Sequence, residues 1–266
     1  MGWGIVLTPY HIKMLDKPYK IYVGYDNKEK TYFDVLSYSI RKNTNHPVDI
    51  IPLKQNALRR AGLYFRGKEI NEDNQFVDCF DGKPFSTEFS FTRFLVPFLN
   101  QFEGYALFMD CDMFFKADIS ELFEKYCNPS FAVSCVKHDH VTDGGFKMDN
   151  RVQSNYHRKN WSSFVMWNCG HEALKDFTVH DVNTRNGSWL HRFAFLEREY
   201  ENNLIGSIPQ EWNWLDGHSP ANLKPKCVHF TTGGPIYRNW DGRRTIDNKY
   251  ATEWSALYSE MVKVNG

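Results

Sequence analysis

The chain has 266 residues, and its 32 lysine plus arginine residues balance 32 aspartate plus glutamate, so the formal net charge is zero. That balance excludes the basic face that duplex nucleic acid or anionic lipid requires, and 24% charged with 42% hydrophobic residues excludes a disordered chain. The length suffices for a full core without disulfides or a structural metal, and 16% aromatic residues is a high share, useful for stacking on sugars or bases although most rings fill cores. After a leading arm over 1–17, Lys20 to Tyr25 is a β-branched and aromatic run ending at Asp26, which predicts a strand and a turn. Thr31 to Asn43 places Phe33, Leu36 and Ile40 at helical spacing, and Val48 to Leu53 reads as a second strand. Strand, helix, strand at the start of a chain predicts an α/β layer on a parallel sheet.

Residues 54–84 are polar and carry no clear period. Thr87 to Phe102 shows a dense apolar helix pattern in which Pro97 predicts a kink or break. Tyr105 to Met109 is a continuous apolar run, as expected of a central strand covered on both faces, and it stops at Asp110-Cys111-Asp112. Asp118 and Glu121 have the spacing of a capping box. Phe131 to Val136 and Phe164 to Trp167 read as further buried strands, and the His-, Asp- and Gly-rich stretch 137–160 between them as a long functional loop. Lys226 to Phe230 is another strand, and a last helix from Ile246 to Val262 carries Tyr250, Trp254, Leu257, Tyr258 and Met261 on one face. No repeat or linker divides the chain, so it reads as one α/β domain over 1–266, closed by a C-terminal helical segment within 241–266.

Six cysteines form no C-x-x-C pair, which sets aside zinc ribbons and thioredoxin-like sites and predicts free thiols in a reducing compartment. The first residues have no basic n-region, Val6 stands where myristoylation wants Ser or Thr, and no apolar run has bilayer length. These features predict a cytoplasmic protein without an integral membrane segment.

Asp110-x-Asp112 is the sharpest chemical feature. Two hard carboxylates at the carboxyl end of a buried strand lie where open α/β sheets bind ligands, and they suit Mn²⁺ or Mg²⁺ bridging a diphosphate. The stretch His229-Phe230-Thr231-Thr232-Gly233-Gly234-Pro235 adds an imidazole as a third ligand and a Gly-Gly step open to phosphate oxygens.

Taken in order, Ile21 to Asp26, Ser90 to Pro97, Asp110-Cys111-Asp112, Ile208 to Asn213, and His229 to Pro235 followed by Trp240 resemble the GT-A nucleotide-sugar glycosyltransferases, most nearly the glycogenin-like proteins of family 8. The resemblance implies a Rossmann-like single domain with a mixed, mostly parallel sheet flanked by helices. It also implies a nucleotide-sugar donor, a UDP-sugar by preference, transferred with retention of configuration to a carbohydrate acceptor. By the same resemblance, Asp110, Asp112 and His229 would hold the metal. Tyr25 and Asp26 would face the base and ribose; Arg93, Gly233, Gly234 and Arg238 would face the diphosphate. Asp110 would touch both ribose and ion.

The chain departs from the family where Trp161-Ser162-Ser163 replaces an Asn-Ala-Gly-like turn, and where Trp189 to Phe193 replaces an Asp-Gln-Asp motif. Ser162 is still expected to line the donor pocket. His138 and Asp139, in a His-Asp-His run, are expected on the acceptor side. So are Trp212 and Asn213, with Glu211 a candidate general base. A nucleotidyltransferase, which also uses paired aspartates and a divalent ion, and a non-catalytic nucleotide-sugar or glycan-binding module are the alternatives.

Overall fold

The computed structural model describes residues 17–73, 75–138, 158, 160–197, 204–237 and 248–265. The leading arm up to residue 16, Asp139, His140, Arg238, Trp240 and Ile246 lie outside them.

In chain order the elements are β1 (Tyr19–Tyr25), α1 (Lys30–Asn43), β2 (Val48–Lys54), α2 (Gln55–Arg60), β3 (Lys68–Ile70), β4 (Phe76–Asp78), β5 (Pro84–Phe85) and α3 (Val96–Leu99). There follow β6 (Tyr105–Met109), β7 (Met113–Phe115), α4 (Ser120–Tyr126), β8 (Val133–Val136), β9 (Phe164–Asn168), α5 (Val179–Thr184) and α6 (Gly187–His191). The chain ends with β10 (Ile205–Ile208), β11 (Trp214–Leu215), β12 (Cys227–His229) and α7 (Lys249–Asn265).

The main sheet has six strands in the order β10-β8-β9-β6-β1-β2. β1 pairs in parallel with both β2 and β6, and β10 with β8, while β9 runs antiparallel between β6 and β8. The sheet is therefore parallel except at β9. Every residue of β6 is buried, as its unbroken apolar run requires. The chain leaves β1 for β2 on one side and returns to β6 on the other, so the carboxyl ends of β1 and β6 flank a topological switch point.

α1 covers this region because Tyr32, Val35, Leu36, Ser39 and Ile40 fall on one stripe and are buried. Ser39 Oγ donates to the Leu36 carbonyl and accepts from the Phe115 amide, which fastens the helix to β7. A second, three-stranded sheet, β11-β12-β7, includes β7, which begins only three residues beyond Asp110. α7 packs over it through buried Trp254 and half-buried Tyr250, Leu257 and Met261, whereas Tyr258 lies 39% exposed.

Three expectations change. The segment 54–84 is ordered as α2 and a small antiparallel sheet, β3-β4-β5. Its fastening is Arg66, buried with Asp78 in a two-pronged ion pair at 2.7 and 2.5 Å, and donating also to the carbonyls of Val182 and Arg185. Residues 87–102 do not form one helix. They make a turn, a 3₁₀ segment over Thr92–Leu95 and the short α3, in which Pro97 lies in the first turn, where its missing N–H costs nothing. The Asp118–Glu121 capping box is absent: Asp118 accepts from Ser120 N, while the Glu121 carboxylate is drawn to Lys125 and Lys226. A capping box does form at Thr178 and Asp181, at the start of α5.

Candidate metal and donor site

Asp110 follows β6 directly, Asp112 precedes β7, and His229 ends β12, so two sheets deliver three ligand-type side chains to one corner. One ligand atom from each lies within 4.8 Å of the other two. Backbone bonds hold the corner: Asp110 N donates to the Ser163 carbonyl at 3.0 Å, and Phe230 N to the Asp112 carbonyl at 3.0 Å. His229 Nε2 stands 3.2 Å from Asp112 Oδ1.

The tautomer of His229 follows from a chain of donors. Ser163 Oγ donates to the Asn160 carbonyl at 2.7 Å, so it must accept from Asn213 Nδ2 at 3.0 Å. That orients the Asn213 amide with Oδ1 toward His229 Nδ1, 2.8 Å away, and a carbonyl oxygen can only accept. An Nδ1–H therefore points at Asn213, which leaves Nε2 as the ring nitrogen turned toward Asp112. Two hard oxygens and one imidazole nitrogen in this arrangement fit Mn²⁺ or Mg²⁺, and a buried partner for the outer ring nitrogen is what a metal-binding histidine needs.

Arg93 is buried. Its Nη1 lies 3.1 Å from Asp110 Oδ1 and donates to the Ser162 carbonyl at 2.9 Å, while the guanidinium lies 5.5 and 5.1 Å from the rings of Phe89 and Phe108. It holds Asp110 in place. Between the two aspartates, Cys111 Sγ donates to Glu29 Oε2 at 3.1 Å, and the Tyr237 hydroxyl donates to Glu29 Oε1 at 3.4 Å. Burial and the carboxylates of Glu29 and Asp112 push the Cys111 thiol well up, so it stays a thiol and is no ligand at neutral pH.

No family model matches the sequence. Protein CDI of Arabidopsis thaliana, however, is 41% identical over 254 residues, spanning 94% of this chain and 89% of that protein. The chain belongs to the CDI family. Among solved structures, this CDI-family chain resembles the galactosyltransferase LgtC in complex with donor and acceptor sugar analogs, at TM-score 0.54, 12% identity and coverage of 91% and 95% of the two chains. It also resembles the bifunctional glycosyltransferase WbbM, at TM-score 0.53, 14% identity and 93% coverage, while spanning only 52% of WbbM. The glycosyltransferase GlyE of Streptococcus pneumoniae gives TM-score 0.52 at 12% identity, over 92% of this chain and 63% of GlyE. At these identities the likeness is one of fold, and the α/β fold of the CDI-family chain is the GT-A fold.

The remaining candidate residues fall into two groups. In the CDI-family chain, Tyr25 ends β1 with its ring edge-on to Phe33 and Lys54 Nζ 5.1 Å from its centroid; Asp26 follows, its Oδ1 accepting from Lys28 N. Gly233 has φ +115°, a conformation that favours glycine, and Gly234 packs so tightly on the Tyr32 ring that any Cβ would collide with it. Ser162 lies beside the cluster through Arg93, and buried His138 follows β8, its carbonyl accepting from Trp161 Nε1.

The others move away from the acceptor role. Trp212 is fully buried in the main core against Phe115, under Lys226, so it offers no face to a sugar. Asn213 is fully buried too and spends its amide on His229 and Ser163. Glu211 is not brought to the cluster: its carbonyl accepts from Lys226 N, three residues before His229, or about 10 Å back along an extended strand. Sequence reasoning missed the bonds that Ser163, Asn213 and Glu29 make around the cluster. A polar residue inside an apolar run was the available signal for Asn213, and a cap-like glutamate at a helix start for Glu29.

Proposed function

We propose that this protein is a metal-dependent glycosyltransferase that moves a sugar from a nucleotide diphosphate sugar, UDP-linked by preference, to a hydroxyl of a carbohydrate acceptor. The observation that carries the reading is the Asp110–Asp112–His229 cluster, gathered where β6 and β12 end and β7 begins, beside the switch point. The GT-A fold of the solved neighbours supports it.

Asp110, Asp112 and His229 would hold Mn²⁺ or Mg²⁺, which when bound supplies Lewis-acid charge to the departing nucleoside diphosphate. Asn213 presents His229 Nε2, and Arg93 fixes Asp110 and places a buried cation beside the position where leaving-group charge develops. The ring of Tyr25 at the end of β1 supplies a face for the base, with Asp26 toward the ribose. Gly233 and Gly234 keep the main chain of their turn free of side chains, so that a diphosphate can approach it, and Arg238 belongs to the same assignment. Ser162 belongs to the donor side, and His138 with Asp139 to the acceptor side. A family 8 relationship, retention of configuration and a cytoplasmic location complete the proposal; among the described residues no helix is long and apolar enough to cross a membrane.

The test is nucleotide release from a panel of UDP-, GDP- and other activated sugars, with Mn²⁺ or with EDTA. Mn²⁺-dependent release from one donor supports the reading and names the sugar. Release of pyrophosphate from a nucleoside triphosphate plus sugar phosphate would replace it with nucleotidyl transfer.

A further inference from the structure

Glu29 stands immediately before α1, yet its side chain makes no capping bond to that helix, although a cap is what helix starts ordinarily use a polar side chain for. Its two oxygens go to two other parts of the chain. Oε2 accepts from Cys111 Sγ at 3.1 Å, and Oε1 accepts from the Tyr237 hydroxyl at 3.4 Å. Cys111 is the residue between Asp110 and Asp112, and Tyr237 lies in the turn that leads out of β12 and His229. A side chain that forgoes the local bond for two distant ones marks a place where function or strain has overridden the local rule.

The start of α1 also grips that turn through Tyr32, one helical turn further on and so on the same side of the helix. The Tyr32 hydroxyl accepts from Ile236 N at 3.2 Å, and its ring stacks on that of Tyr237 at 5.7 Å and 27°. Gly234 leaves no room for a Cβ above the same ring. Tyr32 is fully buried, with Trp254 against it at 5.2 Å. Tyr237 therefore reaches Glu29 from a ring whose position is already set. Glu29 joins the two pieces of chain that carry the ligand-type side chains: the step with Asp110 and Asp112, and the turn that follows His229.

We infer that Glu29 is a positioning residue for the ion: it fixes the Cys111 side chain, and with it the spacing of the aspartates on either side, and it makes that spacing depend on the turn after β12. The inference rests on the ion assignment in the reading above and adds to it a residue outside the ligand set. Ligands held in place before an ion arrives lose less freedom on binding it. Removing the Tyr237 hydroxyl should therefore weaken ion binding, and should do so only while Glu29 is present to pass the loss on.

The experiment is calorimetric titration of Mn²⁺ alone into the full chain and its variants, with urea unfolding of the ion-free proteins to show that each is folded. Glu29→Met, similar in length and without an acceptor, should lower Mn²⁺ affinity about tenfold, the low end for loss of a partner outside the ligands. Tyr237→Phe, which alters no charge, should lower it about threefold, toward the low end for one net hydrogen bond, because 3.4 Å is a long contact. In the Glu29→Met background, Tyr237→Phe should have no further effect. Cys111→Ser, whose hydroxyl can donate to Glu29, should keep most of the affinity that Cys111→Ala loses. Should Glu29→Met fail to fold, Tyr237→Phe is combined with Cys111→Ala, where the other end of the link is cut and the effect should again vanish. A folded Tyr237→Phe protein with unchanged Mn²⁺ affinity overturns the inference, as does a Tyr237→Phe loss of the same factor with and without the link. Cys111→Ser binding as weakly as Cys111→Ala also overturns it. Failure of the unaltered protein to bind Mn²⁺ overturns the ion assignment instead.

Discussion

Replacing Asn213 by leucine, which has the same side-chain heavy-atom count and branching, removes the acceptor of His229 Nδ1 and the donor to Ser163 Oγ in one step. Both partners are buried, and a buried donor left without an acceptor costs about 1–3 kcal/mol. The ring has one escape, which is to carry its proton on Nε2 instead. That nitrogen faces Asp112 at 3.2 Å and is the one a bound ion would need. The stability loss is thereby reduced at the expense of ion affinity, and loss of such an outer partner weakens metal binding about 10- to 100-fold, or about 1.4–2.7 kcal/mol. Mn²⁺ titrated into both proteins by calorimetry, with urea unfolding in parallel, separates the two effects. Asn213→Asp, which keeps an oxygen for Nδ1, should retain most of the affinity. A folded leucine variant that binds Mn²⁺ within about twofold of the unaltered protein, where the loss for such a partner is normally tenfold or more, would refute the donor chain and the assignment of His229 with it.

Further outcomes follow from other contacts. Asp112→Asn should abolish Mn²⁺-dependent nucleotide release while leaving the urea midpoint nearly unchanged, because its carboxylate, 17% exposed, supports the cluster and not the core; full activity would remove Asp112 from it. Arg66→Met strands the Asp78 carboxylate in a buried site and should cost about 3–5 kcal/mol in urea unfolding, whereas Arg66→Met with Asp78→Leu should recover most of that. His191 supplies a pH signature. Burial first, then the cations of Arg93 and Arg66, hold its folded-state pKa below the unfolded value near 6.5, so the unfolded state binds the extra proton. Its contribution is complete above about pH 6.5 and is lost as the pH falls through the folded value. His191→Phe should therefore flatten the acid side of the stability curve, and an unchanged slope would show that the ring titrates normally.

What could be read from the residues was what burial dictates directly. β1, β2, β6, β8 and β9 are apolar runs with no rival period, and α1 has one clean stripe. The Asp110-x-Asp112 step and His229 stood out because carboxylates and an imidazole ending apolar strands have few purely structural uses. Illegible features depend on partners far along the chain. Arg66 looks like any surface arginine until Asp78 and the carbonyls of Val182 and Arg185 close around it. Glu121 sits at capping distance, yet two lysines, one of them 105 residues away, outbid the helix amide. Trp212 and Asn213 share a motif that suggested sugar contact, but their strand neighbours turn one into core and the other toward His229. The helix expected over 87–102 failed because apolar spacing cannot distinguish an α-helix from a turn that buries rings on several sides at once.

The three ligand-type side chains come from both sides of a seam. Asp110 borders the six-stranded sheet, while Asp112 and His229 border the smaller one, and at the cluster itself two acidic groups face an imidazole. An ion seated there would act as a rivet. Occupancy at a hundred times the dissociation constant adds about 2.7 kcal/mol to whatever requires the seam to be closed. That added stability would be felt first by β7 and β12 and by α7, which leans on them, at residues far from any nucleotide. Slowed amide exchange in the C-terminal helix on adding Mn²⁺ would therefore report the filling of the site from the opposite end of the small sheet.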